Sequence, residues 1–201
     1  MSGEFRREED GVVATLSALE AALIRQFVSE LRMLLEAEVG AGSGDGDAES
    51  GVGTGDGAEA DLFAALSELD EDGPVVAPDD PVLARLLPDA YPDDPESAGD
   101  FRRFTQDRLV ARKYAACGTV LDALPDLADG PVLVVLDDDG VQVWLGALND
   151  VRLALASRLG VEQDDDAYWE GLPEDDPRAA VHEVYQWLGW VQETLVRAVW
   201  E

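Results

Sequence analysis

The chain has 201 residues, 46% of them hydrophobic, and carries 44 Asp and Glu against 14 Lys and Arg, a formal net charge of -30. That length fits one domain and that apolar content is ample for a buried core, so the acidity does not by itself imply disorder. The charge excludes sequence-independent binding to DNA or RNA, whose phosphates must be neutralised by Lys and Arg, and it disfavours docking on an anionic membrane.

Lys113 is the sole lysine beside thirteen arginines. A GC-rich genome gives that composition, and a high-salt cytoplasm selects similar acidity; composition does not separate the two. Residues 1–10 are charged and hold no apolar signal core, and no apolar stretch reaches the roughly 20 residues of a bilayer span. Cys117 is the only cysteine, so neither an intramolecular disulfide nor a cysteine-based zinc site is available. The reading is a soluble cytoplasmic protein.

In chain order, residues 12–16 form a short apolar run, followed by Ser17 and, three positions later, Glu20. This is a capping box, in which the serine hydroxyl and the glutamate satisfy each other's backbone amides. It predicts a helix to about Val39 with Leu19, Leu23, Phe27, Leu31 and Leu34 or Leu35 on one apolar stripe. Residues 40–58 are Gly/Asp-rich and have nothing to bury, which predicts a flexible insert with a typical span of about 23 Å. Its Asp-Gly repeats lack the hydrophobic residue that anchors each turn of a calcium-binding repeat.

Asp80-Pro81, Asp94-Pro95 and Asp176-Pro177 share one device. A carboxylate caps the helix, and the proline at the first helical position has no N–H to leave unpaired. The first pair opens a short helix ended by Pro88. The second opens a turn or short helix leading to Phe101 and Phe104, after which Thr105 reads as a fresh cap. The long helix from there places Val110, Tyr114, Cys117, Leu121 and Leu124 on one face and stops at Pro125.

Residues 131–136 (PVLVVL) are the clearest strand. Asp139-Gly140 could turn a hairpin, but Trp144, Leu148, Val151, Leu155 and Leu159 keep a helical period to Gly160, a natural C-cap. A helix starting near Asp138 is therefore preferred, and the strand-cap-helix pattern of 12–39 recurs at 131–160. The last helix starts at Pro177 with Val181, Val184, Leu188, Val191 and Leu195 inward and Trp187, Trp190 and Trp200 adding apolar area. The expected fold is mainly α, a single-domain helical bundle of four or five principal helices with a minor two-stranded β ribbon.

The segments DPVLARLLPDAY, FRRFTQDRLVARK, WLGALNDVRLALASRLGV and YQWLGWVQETLV follow one another as in an actinobacterial family. The chain resembles the domain-of-unknown-function family numbered two-thousand-and-seventeen over nearly its whole length, the insert excepted. That family is often encoded beside the adaptor of the Clp protease. The resemblance implies a context of Clp-dependent proteolysis and a protein partner in that pathway; it implies no activity. Family members usually carry Pro-Glu-Glu where this chain has Asp138, Asp139 and Gly140.

No catalytic, cofactor or metal constellation is expected. His182 is the only histidine, no nucleophile sits in a recognisable elbow, and Cys117 lies on an apolar helix face. The acidic runs 137–139 and 164–166 lack the spacing of a calcium loop and read as caps and loops. Asn149, Asp150 and Arg152 interrupt an apolar helix, either to hydrogen-bond across to the last helix, with 152 opposite about Gln186, or to line a polar groove formed by Asn149 and Arg152. Arg102, Arg103, Arg108, Arg112 and Lys113 place five basic residues within twelve positions of an acidic chain. Like charges at 108 and 112 on one helix face call for acidic neighbours, from Asp89, Asp93, Asp94 or Asp100 or from a partner. The expected function is non-enzymatic binding or regulation with this island as partner contact, without direct nucleic-acid or membrane contact and with homo-oligomerisation left open. The alternatives are an acidic nucleic-acid mimic that occupies a DNA-binding protein, or a hydrolase whose carboxylate pair assembles only in three dimensions.

Overall fold

In the computed structural model, which describes residues 3–9, 11–42, 78–126, 129–161, 168–169, 171–173 and 175–200, local signals set most element starts. The elements are β1 (Arg6–Glu8), β2 (Gly11–Leu16), α1 (Ala18–Gly42), α2 (Pro81–Leu86), α3 (Pro95–Asp122), β3 (Val132–Leu136), α4 (Asp138–Leu159) and α5 (Pro177–Trp200). Among the described residues this is a mainly α fold of five helices, four of them long, with one small sheet.

The capping box closes as the residues demand: the Ser17 amide donates to Glu20 at 2.7 Å and the Glu20 amide to the Ser17 hydroxyl at 3.2 Å. Asp80 accepts from the amides of Val82 and Leu83, and Asp94 from that of Ser97. Asp176 accepts from the Arg178 amide. Asp137 accepts from Gly140 at 2.7 Å, so α4 starts as a helix without the family's usual Pro-Glu-Glu. Asp138 and Asp139 add negative charge to that positive helix end. Gly160 ends α4 at φ 70.

The sheet is antiparallel in the order β1-β2-β3, with Val13 opposite both Arg6 and Val135. The expected two-strand ribbon thus gains a third strand, three exposed charged residues long, which carries no apolar signal. Gly11, opposite Glu8 of β1, has φ 144, and a Cβ there would lie 2.4 Å from the Leu136 carbonyl oxygen of β3, so glycine is what lets the start of β2 approach β3.

The inner face of the sheet (Val12, Ala14, Leu16, Val134) joins a core with Ile24, Val28 and Leu35 of α1, Val120 of α3, Trp144 and Leu148 of α4, and Leu188 and Leu195 of α5. Each such Leu or Ile contributes about 1.5–3 kcal/mol relative to exposure. Phe5 meets Trp144 edge-on at 5.9 Å, joining the N-terminal segment to the core.

Three further expectations change. The inward stripe of α1 is Ala21, Ile24, Val28, Leu31 and Leu35, whereas Leu19 is 70% exposed and Leu23, Phe27 and Leu34 are half-buried. Helix α1 is apolar over more than half its circumference, and the packing of β2, α3 and α4 chooses which part turns inward. Helix α3 runs unbroken from Pro95. Thr105 caps nothing: its hydroxyl donates to the Phe101 carbonyl within the helix. Residues 40–42 belong to α1, and the rest of the 40–58 insert, like the acidic run 164–166, lies outside the described residues.

Candidate functional site

Helix α3 has two working faces. Val110, Cys117 and Val120 point into the core, and the opposite side presents Phe101, Phe104, Arg108 and Arg112 at helical spacings of three and four. With Leu87 and Pro88 from the end of α2, this stripe lines a groove of about 520 Å³. Phe104 is 78% exposed, and Phe101 is held edge-on against Tyr91 at 6.1 Å.

The basic island divides within this frame. Arg102 is 8% exposed and ion-paired with Asp89. Arg103 faces Asp100 one turn back, at 3.8 Å. Lys113 leaves the island altogether: its ammonium donates to Asp150 of α4 at 2.6 Å, with both side chains largely buried. Arg108 and Arg112 are exposed, and among the described residues neither makes an ion pair or side-chain hydrogen bond. Of the expected acidic neighbours, Asp89 and Asp100 are used on Arg102 and Arg103, and Asp94 on its own helix cap. Among the described residues, the island thus leaves two guanidinium groups without an ion pair, beside two exposed aromatic rings.

Asn149 and Arg152 do not share a groove. Asn149 is exposed beside Arg112, Ala116 and Gly146 in a concavity of about 630 Å³ between α3 and α4. Arg152 points to α5, where it donates to Gln192 at 2.9 Å and lies over the Tyr185 ring at 5.0 Å. Its true opposite is Gly189, three residues beyond the expected Gln186.

The other residues singled out for their chemistry sit within local contacts. His182 stacks on Trp169, with ring centres 4.5 Å apart and planes at 9°. Burial, reinforced by the nearby Asp150 charge, pushes the Cys117 thiol up to about 11. Arg178 bonding holds the Asp176 carboxyl down to about 2. Among the described residues no group of three or more His, Cys, Asp or Glu is placed to hold a metal ion, and no helix is long and apolar enough to cross a membrane. Sequence reasoning passed over Phe101, Phe104 and Tyr91. The signal was available, because a helix counted from Pro95 puts 101, 104, 108 and 112 on one side.

The chain is 36% identical over 132 residues to oxidative stress regulator AosR of Mycobacterium tuberculosis and equally to that of Mycobacterium bovis. The match covers 59% of this chain and 58% of each relative, so the chain spans less than two thirds of the length of these curated relatives. No solved structure matches. A family model fits residues 1–199, nearly end to end, and the chain therefore belongs to the family described as Domain of unknown function (DUF2017).

Proposed function

We propose that this protein is a non-enzymatic cytoplasmic regulator that acts by binding another protein, and that the α3 stripe receives an acidic segment of that partner. The observation that carries the reading is the pairing of uncommitted Arg108 and Arg112 with exposed Phe101 and Phe104 on one groove. In a molecule of charge -30, the long-range field repels acidic partners, so two local guanidinium groups act on register and specificity. Arginine suits the task because its planar fork binds carboxylates in bidentate fashion. Exposed aromatic rings supply the apolar anchor around which binding energy concentrates.

The regulator name of the mycobacterial relatives supports a regulatory role. The genomic company of the family nominates Clp-dependent proteolysis as the pathway. Direct thiol oxidation is not part of the proposal, because Cys117 is the only cysteine and is buried with a raised pKa.

The test is calorimetric titration of the purified Clp adaptor against wild type, Arg108→Glu/Arg112→Glu and Phe104→Ala, with melting curves for all three. Loss of affinity by tenfold or more at unchanged Tm, about 1.4 kcal/mol, is the expected result. Undiminished binding by the charge-reversed variant removes the groove from the reading. Absence of any adaptor binding removes the Clp assignment.

A further inference from the structure

The two edges of the sheet are built differently. On the β1 edge every residue is charged and exposed: Arg6, Arg7 and Glu8. Charged side chains on a short strand are a common way to keep an edge from pairing with another chain. The β3 edge has no such protection. Val132–Leu136 contains no charged residue, and its outward side chains Leu133 and Val135 are 64% and 56% exposed. Among the described residues, β3 pairs only with β2 and makes no backbone hydrogen bond outside that ladder. Its outer row of amides and carbonyls spans about 17 Å, which is room for a five-residue strand.

We propose that the outer edge of β3, unpaired among the described residues, is a second docking site, separate from the α3 groove. It accepts by strand addition an extended segment of another protein, apolar at alternate positions and flanked by Lys or Arg. Main-chain pairing supplies affinity in this mode, and alternate side chains with the flanking charges supply selectivity. Leu133 and Val135 offer apolar cross-strand neighbours to the outward side chains of the incoming strand. The flanks are set by what borders β3: Asp129 before it, and Asp137, Asp138 and Asp139 after it, all exposed. Asp137 caps α4 and Asp138 accepts from Arg7 at 3.1 Å, while among the described residues Asp139 has no ion pair.

The same carboxylates argue against a second copy of this chain as occupant. Antiparallel pairing of two β3 strands sets residues 137–139 of one copy beside Asp129 of the other, and parallel pairing sets like ends together. Either arrangement brings carboxylates together within a Debye length of about 10 Å, in molecules already at -30 each. A basic-flanked strand meets the reverse condition at both ends.

The experiment uses the full chain, labelled with nitrogen-15, and a synthetic peptide Lys-Lys-Val-Thr-Val-Thr-Val-Lys-Lys as probe. Saturable amide shifts and new exchange protection confined to Val132–Leu136 and its neighbours are expected. Affinity should fall at least tenfold with Glu in place of the flanking Lys, with alternate peptide amides N-methylated, or in Leu133→Lys/Val135→Lys. That variant changes only exposed side chains, and its melting curve should stay within a few degrees of wild type. The Arg108→Glu/Arg112→Glu variant should bind the probe normally, which keeps this test independent of the groove. The proposal is overturned by absence of saturable shifts, by shifts elsewhere, or by equal binding of the Glu-flanked peptide. Concentration-dependent dimerisation through β3 in sedimentation would also overturn it, since the occupant would then be a second copy.

Discussion

The guanidinium of Arg152 occupies the space that a side chain at Gly189 would need. A Cβ at that glycine would stand 3.2 Å from Nη2 and 3.3 Å from Cζ of the arginine. The missing side chain therefore lets α4 and α5 close over a cation that also donates to Gln192 and covers Tyr185. Replacing a helical glycine by alanine ordinarily stabilises by about 0.5–1 kcal/mol. Gly146, whose Cβ would meet nothing within 4 Å, should show that gain as Gly146→Ala. Gly189→Ala should not. In an Arg152→Ala background the same change should become favourable, with a coupling of at least about 0.5 kcal/mol in a denaturation double-mutant cycle. Additive behaviour would mean that the arginine moves aside without cost.

Lys113 and Asp150 tie α3 to α4 through a largely buried contact of 2.6 Å. Removing one member leaves the other desolvated, so Asp150→Leu or Lys113→Met alone should each cost about 3 kcal/mol in urea unfolding. The double change Lys113→Met/Asp150→Leu should cost clearly less than either single one. Near-wild-type stability of the single variants would show the pair to be solvated. The contrast with Arg108 and Arg112, whose substitution should leave stability nearly unchanged, separates the ion-paired from the exposed part of the island.

Cys117 is buried within the core cluster, and its pKa of about 11 leaves roughly one thiol in a thousand ionised at pH 8. Native protein should resist aromatic disulfide reagents for hours and react fully, with one equivalent, after unfolding in urea. Rapid labelling of the native state would contradict the packing of α3.

Asp176 accepts bonds from the Arg178 side chain at 2.7 and 3.0 Å and from its amide at 2.9 Å. These donors favour the ionised carboxyl and lower its pKa from 3.8 to about 2. A carboxyl depressed in the folded state favours folding above its ordinary pKa, and that contribution is lost as pH falls from about 4 towards about 2. A carbon-13 titration of Asp176 should therefore have its midpoint near 2, and Arg178→Met should move the midpoint up towards 3.8. An ordinary midpoint in wild type would mean that the N-terminal cap of α5 is open in solution.

Local signals were enough for the helix starts, because a cap is a contact between residues two or three apart. Ser17 with Glu20, and Asp80, Asp137 and Asp176 with the amides just after them, need nothing from the rest of the chain. The α4 stripe of Trp144, Leu148, Val151 and Leu155 and the burial of Cys117 were legible for a related reason. Helical periodicity shows which residues share a face wherever only one face is apolar. Tertiary structure decided the rest. Leu19 lies outside and Ala21 inside because α1 is apolar on more than one side, and its neighbours choose between them. β1 pairs along β2 at Val13, Val12 and Gly11, a fact that no property of Arg6, Arg7 and Glu8 announces. The basic island looked uniform along the chain, yet Arg102 and Lys113 are ion-paired within the fold while, among the described residues, Arg108 and Arg112 are not. Whether a charge is spent depends on which carboxylate the fold brings near it, and Asp150 is thirty-seven residues from Lys113.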